Sequence, residues 1–192
     1  GLTPGTESDI LKGMYLFEKA RAADGQPTVN LLGSGAILRE ALAARDLLAL
    51  DWGVAAHVWS CPSFNELGRD GQDAARHNLL KPQATPRVPF VTQQLARTSG
   101  PVVAATDYVK AYAEQIRAFI PPGRSYQVLG TDGYGRSDFR KELRRHFEVS
   151  RHYIAVAALR ALADDGLLAP AKVAEAIAKY HIDGNKINPL HA

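Results

Sequence analysis

Charged side chains and glycines alternate closely in the stretch YQVLGTDGYGRSDFRKELRRHF, residues 126–147. Asp132, Arg136 and Asp138 supply charge within a turn that contains three glycines. Glycine permits positive φ angles and a close approach of the backbone to a ligand. This combination fits the binding of a polar ligand or the docking of a partner surface. A purely structural interpretation is equally open: Ser137 caps the following helix, Asp138 complements the helix dipole, and the glycines form a tight corner.

A second glycine turn, Gly33-Ser34-Gly35, follows an apolar run. Such turns place backbone N–H groups at a helix N-terminus, where anions bind in many α/β proteins. The GSG motif lacks the third glycine, and the acidic residue about 20 positions further on, that a dinucleotide-binding fingerprint requires. We therefore expect at most a weak anion site at these three residues.

A third polar group lies in the segment GRDGQDAARHNLL, which the sequence predicts to be a loop after a short helix over residues 63–67. The segment contains Arg69, Asp70 and Asp73, but its single histidine lacks the paired ligands that zinc sites use. We expect an ion-paired loop that faces a partner surface rather than a group that performs chemistry.

The sequence contains no motif with a recognised catalytic mechanism. We find no nucleophile elbow, phosphate-binding loop or metal-binding cluster. No two of the six histidines are spaced as a helical metal pair, and Cys61, the single cysteine, has no neighbouring base. We therefore expect no catalytic, cofactor-binding or metal-binding residue in this chain. A single cysteine cannot form an internal disulfide, which fits a reducing, cytoplasmic location.

The composition is that of an ordinary globular domain. Hydrophobic residues make up 46% of the 192 positions and charged residues 22%, with a net charge of +3. No apolar run approaches the ~20 residues that a membrane helix requires, and we expect no signal peptide. We interpret the basic stretch of residues 136–145 as a solvated helix face, because no aromatic interleaving or nucleic-acid motif accompanies it. The sequence thus predicts a soluble protein without a membrane or nucleic-acid partner.

Five apolar runs with strand character alternate with helical patterns. The predicted strands cover residues 28–32, 54–60, 101–106 and 126–129, and residues 15–20 either form the fifth strand or continue the opening helix. A turn joins the first two runs, so we expect one antiparallel strand. The alternation predicts an α/β fold with three layers, α/β/α, around a five-stranded, mixed and mostly parallel sheet. We expect a single domain over residues 1–192, with an opening helix over residues 1–14 and a polar C-terminal tail over residues 181–192.

Seven segments together resemble one known family. They are TESDILKGMY, LLGSGAILREA, ELGRDGQDAARHN, TPRVPFV, ATDYVKAYAEQIRAFIP, LGTDGYGRSDFRKELRRHFEV and VAEAIAKYHIDGNKINP. Their content and order resemble the carboxyl-terminal domain of the homodimeric, thiamine-diphosphate-dependent pyruvate dehydrogenase component of bacterial complexes. The resemblance covers nearly the whole chain, and TDGYGRSD together with ELGRDGQD is its specific signature.

The resemblance implies a transketolase C-terminal-domain-like fold and a parent enzyme that oxidatively decarboxylates pyruvate and reductively acetylates lipoyl groups. It also implies thiamine diphosphate and Mg²⁺ as cofactors, held between the amino-terminal and middle domains of two subunits. The family's GDG…NN thiamine diphosphate motif is absent from this sequence, so no catalytic residue of the parent can be carried over. We expect the isolated chain to be inactive and to serve as a structural and dimerisation domain.

The polar segments are candidates for contacts with other parts of such a parent. The expected partners are its amino-terminal and middle domains, the second subunit of the homodimer and, through the parent, the acetyltransferase core of the complex. Arg69 and Arg136 are the expected anchors, because arginine is enriched at interfaces. The full set of candidate docking residues is Arg69, Asp70, Asp73, Asp132, Tyr134, Arg136, Ser137 and Asp138.

Two other functions stay open from the sequence. One is an anion- or nucleotide-binding regulatory module, with the anion at Ser34 or at residues 133–135. The other is the equivalent domain of another transketolase-group thiamine enzyme, which would share the fold.

Overall fold

A computed structural model describes residues 5–192. Residues 1–4, which are part of the expected opening helix, lie outside the described residues. The strands within this range are β1 (Tyr15–Glu18), β2 (Thr28–Gly33), β3 (Ala55–Ser60), β4 (Val102–Ala105) and β5 (Tyr126–Leu129). The helices are α1 (Glu7–Leu11), α2 (Leu38–Trp52), α3 (Phe64–Leu80), α4 (Phe90–Leu95), α5 (Lys110–Glu114), α6 (Arg140–His146), α7 (Arg151–Asp164) and α8 (Ala171–Lys179). None of these helices is long and apolar enough to cross a lipid bilayer.

The five strands form one sheet in the order β1-β3-β2-β4-β5. The strands β2, β3, β4 and β5 run parallel, and β1 pairs antiparallel with β3. This confirms the predicted mixed, mostly parallel sheet. The antiparallel strand pairs with β3 rather than with β2, its neighbour in sequence. The reason is that the side chains of β3 are almost all buried and suit an inner position, whereas those of β1 are mostly exposed and suit an edge.

Helices cover both faces of the sheet, because the inner strands are apolar on both faces. On one face, Leu31 belongs to a core that includes α2 and α7, with Leu159 from α7 fully buried. On the other face, Leu32 and Trp59 pack in a second core with α3, α4 and α5. Two cores on opposite faces of one sheet confirm the predicted α/β/α layers.

The prediction of a loop at residues 68–80 is wrong, because these residues belong to α3. Residues 64–80 form one continuous helix, so the GRDGQD segment is helical. Its glycines are buried where α3 meets the segment that follows α5: a Cβ at Gly71 would lie 2.2 Å from the Phe119 ring, and one at Gly68 would lie 3.1 Å from Gln115. The glycines therefore permit close packing between helices, although in the sequence they suggest a break.

Four carboxylates accept a backbone N–H at the start of a helical segment that is remote in sequence. Such N–H groups have no partner within their own helix, and a negative charge there complements the helix dipole. Each of these hydrogen bonds therefore fixes one element against another. The pairs are Asp70 with the N–H of Phe90, Asp107 with Ala36 (3.4 Å), Asp132 with Lys110 (3.1 Å) and Glu40 with Arg151 (2.9 Å).

Gly100, just before β4, lies very close to the backbone of β2. It has a φ of +81°, and a Cβ there would lie 1.7 Å from the carbonyl oxygen of Thr28 in β2. Because that oxygen belongs to a paired strand, it cannot move away as the end of a side chain could. We expect Gly100→Ala to lower the free energy of unfolding by more than about 3 kcal/mol, measured by urea denaturation.

Gly123→Ala is the matched control for this substitution. Gly123 also has a positive φ, +76°, but no atom lies within 4 Å of a Cβ placed there. The backbone strain alone should cost about 1 kcal/mol. Equal losses of stability in the two variants would contradict the close approach of Gly100 to β2.

Candidate functional site

The carboxyl ends of the four parallel strands meet at one edge of the sheet. Open α/β sheets bind ligands at this edge, because loops and helix N-termini converge there. The turns directly after β2 and β5 carry two of the three polar groups singled out in the sequence, and the third lies further from this edge, within α3. The segments that follow the four strands begin at residues 34, 61, 106 and 130.

The turn after β5 is held by the segment after β4. The Thr131 N–H donates to the carbonyl oxygen of Tyr108 at 2.9 Å, and Asp132 Oδ1 accepts the N–H of Lys110 at 3.1 Å. The Lys110 Nζ also lies 3.8 Å from Asp132 Oδ2. Asp132, a predicted docking residue, therefore caps α5 from within the same sheet edge.

The C-terminal tail packs against the same turn. Gly133 has a φ of +106°, and a Cβ there would lie 2.2 Å from the carbonyl oxygen of Pro189. The short 3-10 turn Pro189–His191 is capped by Asn188, whose Oδ1 accepts the N–H of Leu190 at 3.0 Å. The predicted polar tail therefore covers one side of the glycine turn.

Large apolar side chains project from this edge into solvent. The exposed fraction is 81% for Tyr134, 82% for Phe139 and 50% for Leu190 of the tail. The rings of Tyr108 and Tyr112 pack edge to face with centroids 4.9 Å apart. Large exposed apolar side chains are candidates for contact with a partner surface. We call this group the edge patch and define it as Tyr108, Val109, Tyr112, Tyr134, Phe139 and Leu190.

The turn is longer than the sequence predicted, because Ser137 and Asp138 do not open the helix. The helix α6 begins at Arg140 with Phe139 at its N-cap position. The Asp138 carboxylate accepts the N–H of Phe139, its own neighbour, at 2.7 Å. Arg136 and Ser137 are exposed at this edge.

Arg69, Asp70 and Asp73 lie elsewhere, on α3. Asp70 accepts the N–H at the start of α4, and Arg69 pairs with Glu66 of its own helix at 3.0 Å. Asp73 is exposed. The cavities lined by Arg69, Asp70 or Asp73 differ from the cavity lined by Gly133, Gly135 and Arg136. Among residues 5–192, no hydrogen bond or ion pair joins the two predicted docking groups.

The Gly33-Ser34-Gly35 turn already has a carboxylate against it. Asp107 Oδ2 accepts the N–H of Ala36 at 3.4 Å, and a Cβ at Gly35 would lie 2.9 Å from Asp107 Oδ1. The Ser34 N–H donates to the carbonyl oxygen of Ala105 at 3.1 Å. Because a carboxylate repels other anions, this geometry does not favour the expected weak anion site.

A buried ionic cluster lies behind this edge and was missed in the sequence. Glu40 is 3% exposed, and its Oε1 accepts from Arg144 Nη1 at 2.8 Å and from Arg151 Nη2 at 3.0 Å. Its Oε2 accepts the N–H and Nε–H of Arg151. Burial alone raises the pKa of Glu40, but the hydrogen bonds from Arg151 and the charges of both arginines outweigh it, so the pKa lies below its ordinary value.

One signal for this cluster was present in the sequence. Glu40 lies on the buried stripe of α2 beside Ile37, Ala41 and Ala44, where a carboxylate requires a partner. Its partners lie more than 100 residues further along the chain, and no spacing rule connects them. The site could be suspected from Glu40, but its partners could not be named.

The two most reactive side-chain types are used in packing. Cys61 is completely buried, and burial raises the pKa of its thiol far above the ordinary range. His57 is buried in β3 and its Nδ1 accepts the N–H of Ala20 at 3.2 Å, while burial, Lys19 and Arg124 lower its pKa. Both groups are therefore neutral at pH 7.

The described residues offer no ligand group for the Mg²⁺ that the resemblance implies. Within residues 5–192, no three His, Cys, Asp or Glu side chains form a group that could hold a metal ion. The edge carboxylates Asp107 and Asp132 already accept helix N–H groups. No catalytic step is therefore assigned to these residues.

Comparison with known proteins connects this fold to a family. Residues 13–150 match the family model described as the transketolase-like TK C-terminal domain. The chain belongs to this family. A transketolase structure from Pichia stipitis, 16% identical, superimposes with a TM-score of 0.51 over 84% of this chain and 19% of that chain, which supports the fold alone. The predicted transketolase C-terminal-domain-like fold is confirmed.

Two curated relatives share the name pyruvate dehydrogenase E1 component. The protein from Cupriavidus necator is 56% identical over 186 residues, which are 97% of this chain and 21% of that protein. The protein from Haemophilus influenzae is 55% identical over 188 residues, 98% of this chain and 21% of that protein. The chain therefore spans about a fifth of the length of the curated relatives it matches.

The Glu40 cluster predicts a stability loss on substitution. We expect Glu40→Gln to lower the free energy of unfolding by about 3 kcal/mol at pH 7, because Arg144 loses its counter-charge in a half-buried position. Glu142→Gln, at an exposed position on α6, is the control and should change stability by less than about 0.5 kcal/mol. Urea denaturation of the three proteins measures both effects.

The same cluster predicts a pH dependence with a definite sign. Because the folded-state pKa of Glu40 lies below its ordinary value of 4.5, ionised Glu40 stabilises the fold above that pH. This contribution is lost as the pH falls through the lowered folded-state pKa. Below pH 4.5, the stability of the wild type should therefore fall more steeply than that of Glu40→Gln. Parallel pH profiles for the two proteins would contradict the assignment.

Proposed function

We propose that residues 1–192 form a single domain, the carboxyl-terminal domain of a pyruvate dehydrogenase E1 component, with a docking and dimerisation role. The observation that carries the proposal is the 56% identity to the Cupriavidus necator protein across 97% of the chain. The identity to a transketolase of the same fold is 16%. The difference favours the pyruvate dehydrogenase branch over another transketolase-group enzyme.

The parent would oxidatively decarboxylate pyruvate and reductively acetylate lipoyl groups in the cytoplasm. Thiamine diphosphate, bound with Mg²⁺ elsewhere in the parent, would supply the carbanion chemistry that this reaction requires. The residues of this chain would contribute by holding the domains and subunits that carry the cofactor. The acetyltransferase core of the complex would be reached through the parent as a whole.

The edge patch is the surface proposed for docking. Tyr134 and Phe139 place two aromatic rings in solvent on a turn that is tied to α5 and to the tail. Interfaces typically combine an aromatic centre with a polar rim that is rich in arginine. Arg136 and Ser137 supply such a rim. The proposed partner is another domain of the parent, in the same subunit or in the second subunit.

The predicted docking residues therefore divide into two roles. Tyr134, Arg136 and Ser137 are proposed to contact the partner directly, while Asp132 holds the turn in position through its bond to α5. The Asp138 carboxylate accepts the N–H of its neighbour Phe139. The exposed side chains of Arg69 and Asp73 are proposed as a separate, smaller contact on α3, next to which Asp70 caps α4.

A double substitution in the edge patch tests the proposal in the full-length protein that carries this chain. We expect Tyr134→Ser/Phe139→Ser to raise the dissociation constant of the dimer at least tenfold, because central aromatic residues dominate interface energies. Pyruvate turnover should fall in parallel. Analytical ultracentrifugation and a pyruvate oxidation assay measure the two effects.

Leu50→Ser is the matched control. Leu50 is 85% exposed at the end of α2 and is not part of the edge patch, so its loss removes exposed apolar surface without touching the proposed interface. Assembly and turnover should stay at wild-type levels in this variant. An edge-patch variant that assembles and turns over like the wild type would exclude the docking role.

A further inference from the structure

The surplus positive charge of the chain is concentrated at α6 and the residues that flank it. The basic side chains there are Arg136, Arg140, Lys141, Arg144, Arg145 and Arg151, and the carboxylates are Glu40, Asp138, Glu142 and Glu148. Six cations and four carboxylates leave a surplus of two, and Glu148 is paired with Lys186 of the tail at 2.9 Å. The other 17 basic and 16 acidic side chains of the chain nearly balance one another.

Most of these cations have no partner. Among residues 5–192, no hydrogen bond or ion pair is formed by the side chains of Arg136, Arg140, Lys141 or Arg145. Arg144 and Arg151 share one carboxylate, that of Glu40, so the cluster itself keeps one positive charge. An unneutralised group of this kind attracts anions.

A cleft of about 890 Å³ lies beside these cations, between α6, the start of α7 and the end of α8. Arg140, Lys141 and Arg145 line it from α6, and Arg151 lines it from α7. Glu142 also lines the cleft, so the cations outnumber the exposed carboxylate. The volume lies within the range of about 300–1,000 Å³ found for small-molecule sites.

The side chains of Arg144 and Arg151 are already held in position without a ligand. Glu40 receives three hydrogen bonds from the guanidinium groups of Arg144 and Arg151, with lengths from 2.8 to 3.1 Å. The ordering of these side chains is therefore not a cost of binding. Beside them, the His152 ring packs on Tyr180 with centroids 4.9 Å apart, and both rings line the cleft.

We propose that this cleft binds a small oligophosphate. Guanidinium groups bind phosphate oxygens through paired, charge-assisted hydrogen bonds. Cations on two walls of a concave cleft match a short chain of linked phosphates, whereas a folded acidic protein would require a flatter surface. The proposal does not depend on the edge patch or on the identity of the parent.

Titration calorimetry with sodium tripolyphosphate tests the proposal in the full-length protein that carries this chain. We expect saturable binding of one tripolyphosphate per chain, weakened by added sodium chloride because the interaction is ionic. Lys141→Gln/Arg145→Gln should weaken binding at least tenfold. Both side chains are exposed and unpaired, so the variant should melt at the wild-type temperature.

Arg76→Gln/Lys81→Gln is the matched control. It removes the same charge from exposed positions at α3, on the opposite face of the sheet. Binding should stay within twofold of the wild type. An equal loss of tripolyphosphate binding in this control would indicate a general effect of net charge and would overturn the proposed site.

Competition and binding experiments with other anions identify the chemical class of the ligand. Displacement of tripolyphosphate by ATP would identify a nucleotide as the source of the phosphate chain, and failure of ATP to compete would identify a free oligophosphate; both results support the site. No saturable binding, equal affinity for inorganic phosphate, or tighter binding of a polyglutamate peptide would each overturn the proposal.

Discussion

The fold depends on carboxylates that accept the N–H groups at the starts of helices from other parts of the chain. A helix N-terminus cannot satisfy its first N–H groups internally, so each needs an acceptor. Glu40, on α2, provides one for α7 and also binds Arg144 of α6, so a single buried carboxylate joins three helices on one face of the sheet. Asp70, Asp107 and Asp132 likewise each accept one N–H group. These N–H groups lie at the starts of α4, of the short turn before α2, and of α5.

This use of carboxylates explains what the carboxyl edge of the sheet contributes to function. Asp107 and Asp132 accept helix N–H groups, and two large aromatic side chains are exposed at the edge beside polar ones. Tyr134 and Phe139 stand on a turn that Asp132 and Gly133 hold against α5 and the tail. A rigid turn with exposed aromatic rings suits docking. This agrees with a family in which the curated relatives are about five times longer than the part matched here.

Sequence reasoning located all five strands and the layers, because their apolar runs reflect burial on both faces of a parallel sheet. It ended α3 too early, at residue 67, and assigned residues 68–80 to a loop. Gly68 and Gly71 locally suggest a break in the helix, but they are required by contact with the segment after α5. It could not name the partners of Glu40, since they depend on the packing of α6 and α7. The docking residues predicted from motifs were chemically plausible, yet which of them are free could be decided only once their hydrogen bonds were known.

The most direct test of the central claim is an experimental structure, by cryo-electron microscopy, of the full-length protein that carries this chain, with thiamine diphosphate and Mg²⁺ added. The account predicts that Tyr134 and Phe139 are buried against another domain or subunit and that the cofactor is held by residues outside this chain. Solvent-exposed rings at both positions, or a cofactor coordinated by side chains of this chain alone, would contradict it.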